Sequence, residues 1–227
     1  MKRKSITMVL CLILGVSLFS MFNFSNVAAA PVVEYKPIDV GEKIRAANYP
    51  VEGGMAPAGA NAPIQEYTGV VGEVVTWLML DDYAGSYYFV DYELRGVGTT
   101  AEIWVQTDLN WLPGDPRPAP VVTDEQVAYM LGELESNIIP TVSEYFGEPN
   151  YHDGTYSLLE AWGYVPPGYY YEGSGKAMML VSNVRDENFY DPTYPYYIAG
   201  FYSSTFEAYF DRNIITIDSY AWDARVG

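Results

Sequence analysis

Apolar and polar residues alternate with period two from Gly69 to Gln106, the pattern of strands that bury one face. The runs EVVTWLML (Glu73 to Leu80), SYYFVDYELRG (Ser86 to Gly96) and AEIWVQ (Ala101 to Gln106) are separated by DDYAG and GVGTT. Such short, turn-forming breaks predict a three-stranded antiparallel meander. In the second run Tyr88, Val90, Tyr92 and Leu94 share one face, while Asp91, Glu93 and Arg95 share the wet one.

The pattern then changes period. After the proline-broken connector DLNWLPGDPRPAPVV, the segment TDEQVAYMLGELESNII opens with Thr123 and Gln126, a capping box, and places Asp124 and Glu125 in the first turn. Val127, Met130, Leu131, Leu134 and Ile138 form one apolar helical stripe, with Pro140 interrupting or restarting the helix and Phe146-Gly147 ending it. A loop with His152, the short apolar piece SLLEAWG and the turn-rich YVPPGYYYEGSG follow. KAMMLVSNV, Lys176 to Val184, is continuously apolar, as expected of a strand covered on both faces. YYIAGFYS and NIITIDS are two more strand candidates. The fold class read from these patterns is α+β: an N-terminal antiparallel β-meander (67–110) followed by an incomplete α/β unit (111–227), a helix and then three strands.

The first thirty residues have Lys2, Arg3 and Lys4, then an apolar stretch, then Ala28-Ala29-Ala30. This order predicts a secretory signal peptide over 1–30 and a secreted, extracellular protein. An uncleaved membrane anchor is the alternative, since the stretch is nearly long enough to span a bilayer. Cys11 lacks the small preceding residues of a lipoprotein site. Residues 31–66, rich in Pro, Gly and Ala, read as a flexible leader or linker.

Charge narrows the partners. Three of the 12 Lys and Arg lie in residues 1–30 and none of the 29 Asp and Glu do, so residues 31–227 carry 9 against 29, a net charge of −20. Nucleic acid and anionic membrane are repelled by such a surface, whereas calcium is attracted to it. The one cysteine lies in the signal segment, which leaves the exported part without disulfides and resembling a prokaryotic exoprotein. The 22 Tyr, 9 Phe and 5 Trp imply a folded chain.

Candidate chemistry is sparse. A catalytic zinc site takes three protein ligands drawn mostly from His, Cys and carboxylates. With one His and no HExxH, the common zinc-peptidase site cannot be built from these residues. His152 stands beside Asp153 and near Ser157, but a Ser-His-Asp triad is spatial, and a solvated loop histidine is the plain alternative. Paired carboxylates of the kind used in glycoside hydrolysis arise by chance in a chain this acidic. In RDENFYDPTYP, Asp186, Glu187, Asn188 and Asp191 gather oxygen-bearing side chains in one loop, which suits calcium, against a plain solvated acidic loop. The clusters GYYYEG and PTYPYY could form an aromatic platform for sugar or peptide; core filling and loop stapling is the commoner use.

The succession TDEQVAYMLGELESNIIPTVSEYFGEP, HDG, MMLVSNVRDENFYDP, IAGFYSS and FDRNIITIDSY resembles the segment before the zinc helix in secreted bacterial and archaeal zincin metallopeptidases. The immune-inhibitor-A-like and hyicolysin-like groups are the nearest, and YELRGVGTTAEIWVQ resembles the piece preceding their catalytic domain. The resemblance, spanning about Tyr67 to Gly227, implies that NIITIDS is the last strand before a HExxH helix whose histidines hold zinc and whose glutamate activates water. It also implies that IAGFYSS is an edge strand whose backbone, at Ala199, Gly200 and Phe201, pairs with an extended peptide or protein substrate. No catalytic residue carries over. The expected function is therefore the N-terminal part of a secreted zinc metalloendopeptidase, inactive alone, with zinc in the full-length parent only. The alternatives are a non-catalytic secreted module binding carbohydrate, calcium or a cell surface, and a propeptide-like inhibitor of a related peptidase.

Overall fold

A computed structural model describes residues 68–226; the expected signal peptide (1–30) and leader (31–66) lie outside the described residues. The chain is α+β, built on one six-stranded mixed sheet in the order β1-β2-β3-β4-β6-β5. Strands β1 (Val74–Asp81), β2 (Ser86–Val97) and β3 (Ala101–Gln106) form the antiparallel meander that the period-two runs predict. Strand β3 pairs in parallel with β4 (Ala177–Ser182), and β4 with β6 (Asn213–Asp218). The short β5 (Gly200–Tyr202) closes the order, antiparallel to β6.

The connector from β3 to β4 carries helix α1 (Asp124–Glu133), a π turn (Leu134–Ile138) and α2 (Ile139–Phe146). The capping box is present in full: Gln126 N–H donates to Thr123 Oγ1, and Thr123 N–H donates to Gln126 Oε1. Val127 and Leu134 are buried, with Met130 and Leu131 packed beside them. Ile138 departs from the expected stripe and is 43 % exposed, while Ile139 packs inward. The π turn explains this, because its extra residue moves the buried position from i+4 to i+5.

Strand β4 is covered on both faces, as its apolar run predicts. Met178 and Leu180 enter one core with Trp77, Tyr92, Trp104, Phe206 and Phe210, and Met179 and Val181 enter the other with Ile103, Val127 and Trp222. Three short helices were not legible as such: α3 (Leu158–Ala161), α4 (Glu187–Tyr190) and α5 (Ser204–Phe210). Helix α5, capped by Ser203, drives Phe206 and Phe210 into the first core. Among the described residues, no helix is long and apolar enough to cross a membrane.

The sheet's two outer edges are finished differently. On β1, Thr76 N–H donates to the Tyr169 hydroxyl, and the Tyr170 hydroxyl donates to Thr76 O, both at 3.2 Å. Beyond Thr76, Leu78 and Leu80 are buried, and Asp82 N–H donates to Arg185 O. Tyr170 also stacks on Trp77 with 4.8 Å between ring centroids. The GYYYEG cluster is thus a staple, which takes up the Thr76 backbone groups that the edge strand would otherwise present. On β5 no described strand pairs with the outer side.

Candidate functional site: the β5 edge

Antiparallel pairing alternates, so each residue of an edge strand directs its N–H and C=O either to its neighbour or outward. Asp218 N–H donates to Ala199 O at 3.0 Å, and the register then runs Gly200 opposite Ile217, Phe201 opposite Thr216 and Tyr202 opposite Ile215. Ala199 and Phe201 therefore face β6, and Gly200 and Tyr202 face outward. Of the three residues expected to pair with a substrate, Gly200 alone has its backbone groups directed away from β6, as does Tyr202. Side chains alternate on a second axis. Phe201 packs with the first core, while Gly200 and Tyr202 share the opposite face with Ile217 and Ile215.

Gly200 is glycine for a packing reason. A Cβ there would stand 2.7 Å from Thr216 O and 2.9 Å from Ile217 Cδ1, closer than real contacts allow. Tyr202 is 57 % exposed, and its hydroxyl hydrogen-bonds Glu207 of α5, which pushes the phenol up to about 12. Tyr194, Tyr196 and Tyr197 are exposed on the approach to β5, and Ile215 is exposed beside it. The result is an open strand edge flanked by tyrosines, with Ile215 exposed and Ile217 half-buried on one face.

The segment leading into β5 is anchored by acidic residues. Asp186 caps α4: its Oδ1 accepts from Phe189 N–H at 3.0 Å and its Oδ2 from Ile198 N–H at 2.6 Å. Burial raises the Asp186 carboxyl above the ordinary carboxylate range in spite of these donors. Glu187 lies half-buried in the first turn of α4, and Asp191 is exposed, its carboxylate taken by the Thr193 hydroxyl and N–H, which lower its pKa. The three residues expected as calcium ligands are thus an N-cap, a helical side chain and a turn cap. Asp218, at the end of β6, accepts from Val184 N–H and Tyr220 N–H through Oδ1, and burial pushes its carboxyl up to about 7.

His152 is not a free loop residue. Its Nδ1 lies 2.7 Å from Asp211 Oδ1 and its Nε2 lies 2.9 Å from Glu207 Oε1. With one carboxylate on each ring nitrogen, the three groups do not surround a common point. They tie the 151–157 loop to the end of α5, where Asp211 adopts a left-handed conformation and its Oδ2 accepts Tyr156 N–H. Ser157 caps α3 and donates to Tyr209 O, so no Ser-His-Asp arrangement forms. Among the described residues, no group of three His, Cys, Asp or Glu side chains is placed to hold a metal ion. Sequence reasoning missed Tyr202, Glu207 and Asp218; only the alternation within FYSS could have singled out Tyr202. No protein-family profile matches the chain, and no curated protein matches it.

Proposed function

We propose that this chain carries the substrate-binding part of a secreted zinc metalloendopeptidase, with β5 as the edge that receives an extended peptide. The observation that carries this reading is the difference between the two sheet edges: β1 is stapled by tyrosines, whereas β5, antiparallel beside the parallel pair β4 and β6, is left open. Gly200 and Tyr202 would each exchange backbone hydrogen bonds with the peptide, and the exposed tyrosines would contact its side chains. The half-bare row of Ile215 and Ile217 also suits the reading, as it leaves room for a further element against the sheet. The residues present do not fit zinc, since the single histidine is held between two carboxylates, so no step is derived through the metal. The chain alone is expected to lack peptidase activity.

Titrating the isotopically labelled chain with an extended, uncharged hexapeptide tests the reading. Amide shifts are expected at Gly200 and Tyr202, and they should vanish for the same peptide N-methylated at alternate residues. Shifts elsewhere, or equal binding of the methylated peptide, would sink it. Caseinolysis by the chain in zinc buffer, abolished by a chelator, would overturn the expectation of inactivity. The second reading, a non-catalytic module for carbohydrate, calcium or a cell surface, draws on the exposed Tyr194, Tyr196 and Tyr197. Shifts of these residues with sugars and not peptides would favour it.

A further inference from the structure

Ile198 and Ala199, the residues that lead into β5, are gripped from three directions. Ile198 N–H donates to Asp186 Oδ2 at 2.6 Å. Ala199 O accepts from Asp218 N–H at 3.0 Å and from Arg225 Nη1 at 2.8 Å. The same Nη1 donates to Asp218 O, and the Arg225 guanidinium lies 5.4 Å from the centroid of the Tyr197 ring. Both aspartates are 2 % exposed. Two buried carboxyls close enough to repel each other, with the Arg225 guanidinium bonded to backbone carbonyls and not to either carboxylate, cannot both ionise cheaply.

We propose that Asp186 and Asp218 form a proton-operated latch that holds the open edge strand against β6 while one carboxyl is neutral and loosens it when both are charged. The division of labour follows from the donors. Asp186 accepts backbone N–H groups on both oxygens, an arrangement that favours its charged form, whereas Asp218 receives N–H groups on Oδ1 only. Asp218 is therefore the proton carrier, in keeping with its carboxyl being pushed up to about 7. The charged groups facing the pair are Arg225, which favours ionisation of Asp218, and Glu187, which opposes that of Asp186. Arg225 Nη2 is buried with no partner in the latched state. Once Asp218 ionises, its charge draws this guanidinium toward the carboxylate and away from Ala199 O. The grip on β5, the shortest strand of the sheet, then falls to the Asp186 bond at Ile198 and the backbone pairing with β6. The latch does not depend on what the edge binds.

Amide hydrogen exchange on the whole chain, corrected for intrinsic rates and followed from about pH 5.5 to about pH 8.5, tests this. Protection at Phe201 and Asp218 should fall roughly tenfold or more across that range, a unit of titration being worth a factor of ten, while β3 amides keep theirs. The Asp218→Asn chain should show constant protection at β5. Protection in the wild type that is independent of pH, or that falls equally at β3 and β5, would overturn the latch. So would an Asp218→Asn chain that loses protection as the wild type does. If that variant fails to fold, the wild-type comparison of β5 with β3 still decides, and Asp186→Asn, which removes a charge that opposes ionisation of Asp218, should shift the loss to lower pH.

Discussion

Arg212 gives the sharpest test of what holds the sheet together. It is 1 % exposed at the start of β6, and its Nη2 lies 3.3 Å from Glu102 Oε2 and 3.9 Å from Glu172 Oε1, with Nη1 donating to Tyr170 O. Lys176 reaches Glu102 Oε1 at 3.7 Å, so two cations face two buried carboxylates. Replacing Arg212 with Met keeps most of the volume and removes one cation. Glu172 retains N–H donors from Gly175 and Lys176, whereas Glu102, fully buried, loses the guanidinium and faces the more exposed lysine and the Trp104 indole. Breaking one side of a buried pair in this way costs about 3 to 5 kcal/mol. Urea unfolding followed by circular dichroism should show that loss, and added salt should not relieve it, because buried pairs are little screened. Glu102→Gln combined with Arg212→Met should recover at least about 1 kcal/mol relative to the sum of the single changes. A loss below about 1 kcal/mol, or strict additivity with Glu102→Gln, would refute the claim that these charges are coupled.

Three further outcomes follow from single contacts. Gly200→Ala should displace β5, because its Cβ meets Thr216 O at 2.7 Å; amide exchange at Phe201 should accelerate, and any peptide binding at this edge should weaken with it. Asp218→Asn should alter the pH dependence of stability. The folded carboxyl titrates at about 7 against 3.8 when exposed, so the folded state holds a proton the unfolded state has lost, and stability falls as pH rises between those values. The difference in unfolding free energy, variant minus wild type, should therefore grow by about 4 kcal/mol from pH 4 to pH 8, and a flat difference would contradict the buried carboxyl. Thr123→Ala should cost about 1 kcal/mol by removing the cap of α1, with thermal unfolding as the measure.

Features that repeat locally were legible in the sequence, and features that depend on distant partners were not. The meander was readable because each strand carries its own alternation, and α1 because Thr123 and Gln126 stand three residues apart. Ile138 was misplaced because no local pattern announces a π turn. Strand β5 was found, but the alternation of its backbone depends on its register with β6, which is how Ala199 and Phe201 came to face β6 instead of the open side. The tyrosines show the same limit. GYYYEG and PTYPYY look alike, yet the first staples an edge 93 residues away through Tyr169 and the second stays exposed near β5.

Carboxylates make the point most directly, because 29 acidic residues cannot be ranked by composition. Burial ranks them. Asp191 and Asp223 are exposed and Asp191 only caps a turn, whereas Asp186, Asp218 and Glu102 are at most 2 % exposed and each holds a strand end. A buried carboxylate is tolerated only where donors or a cation meet it, so its position reports a constraint that surface charge does not. Two of these three, Asp186 and Asp218, converge on the residues preceding β5, while Asp81, 3 % exposed, ends the stapled strand β1 and meets Tyr190 and Arg185. A pair of buried carboxyls thus falls beside the open strand, where holding and releasing three residues would have the most effect on what that edge can bind.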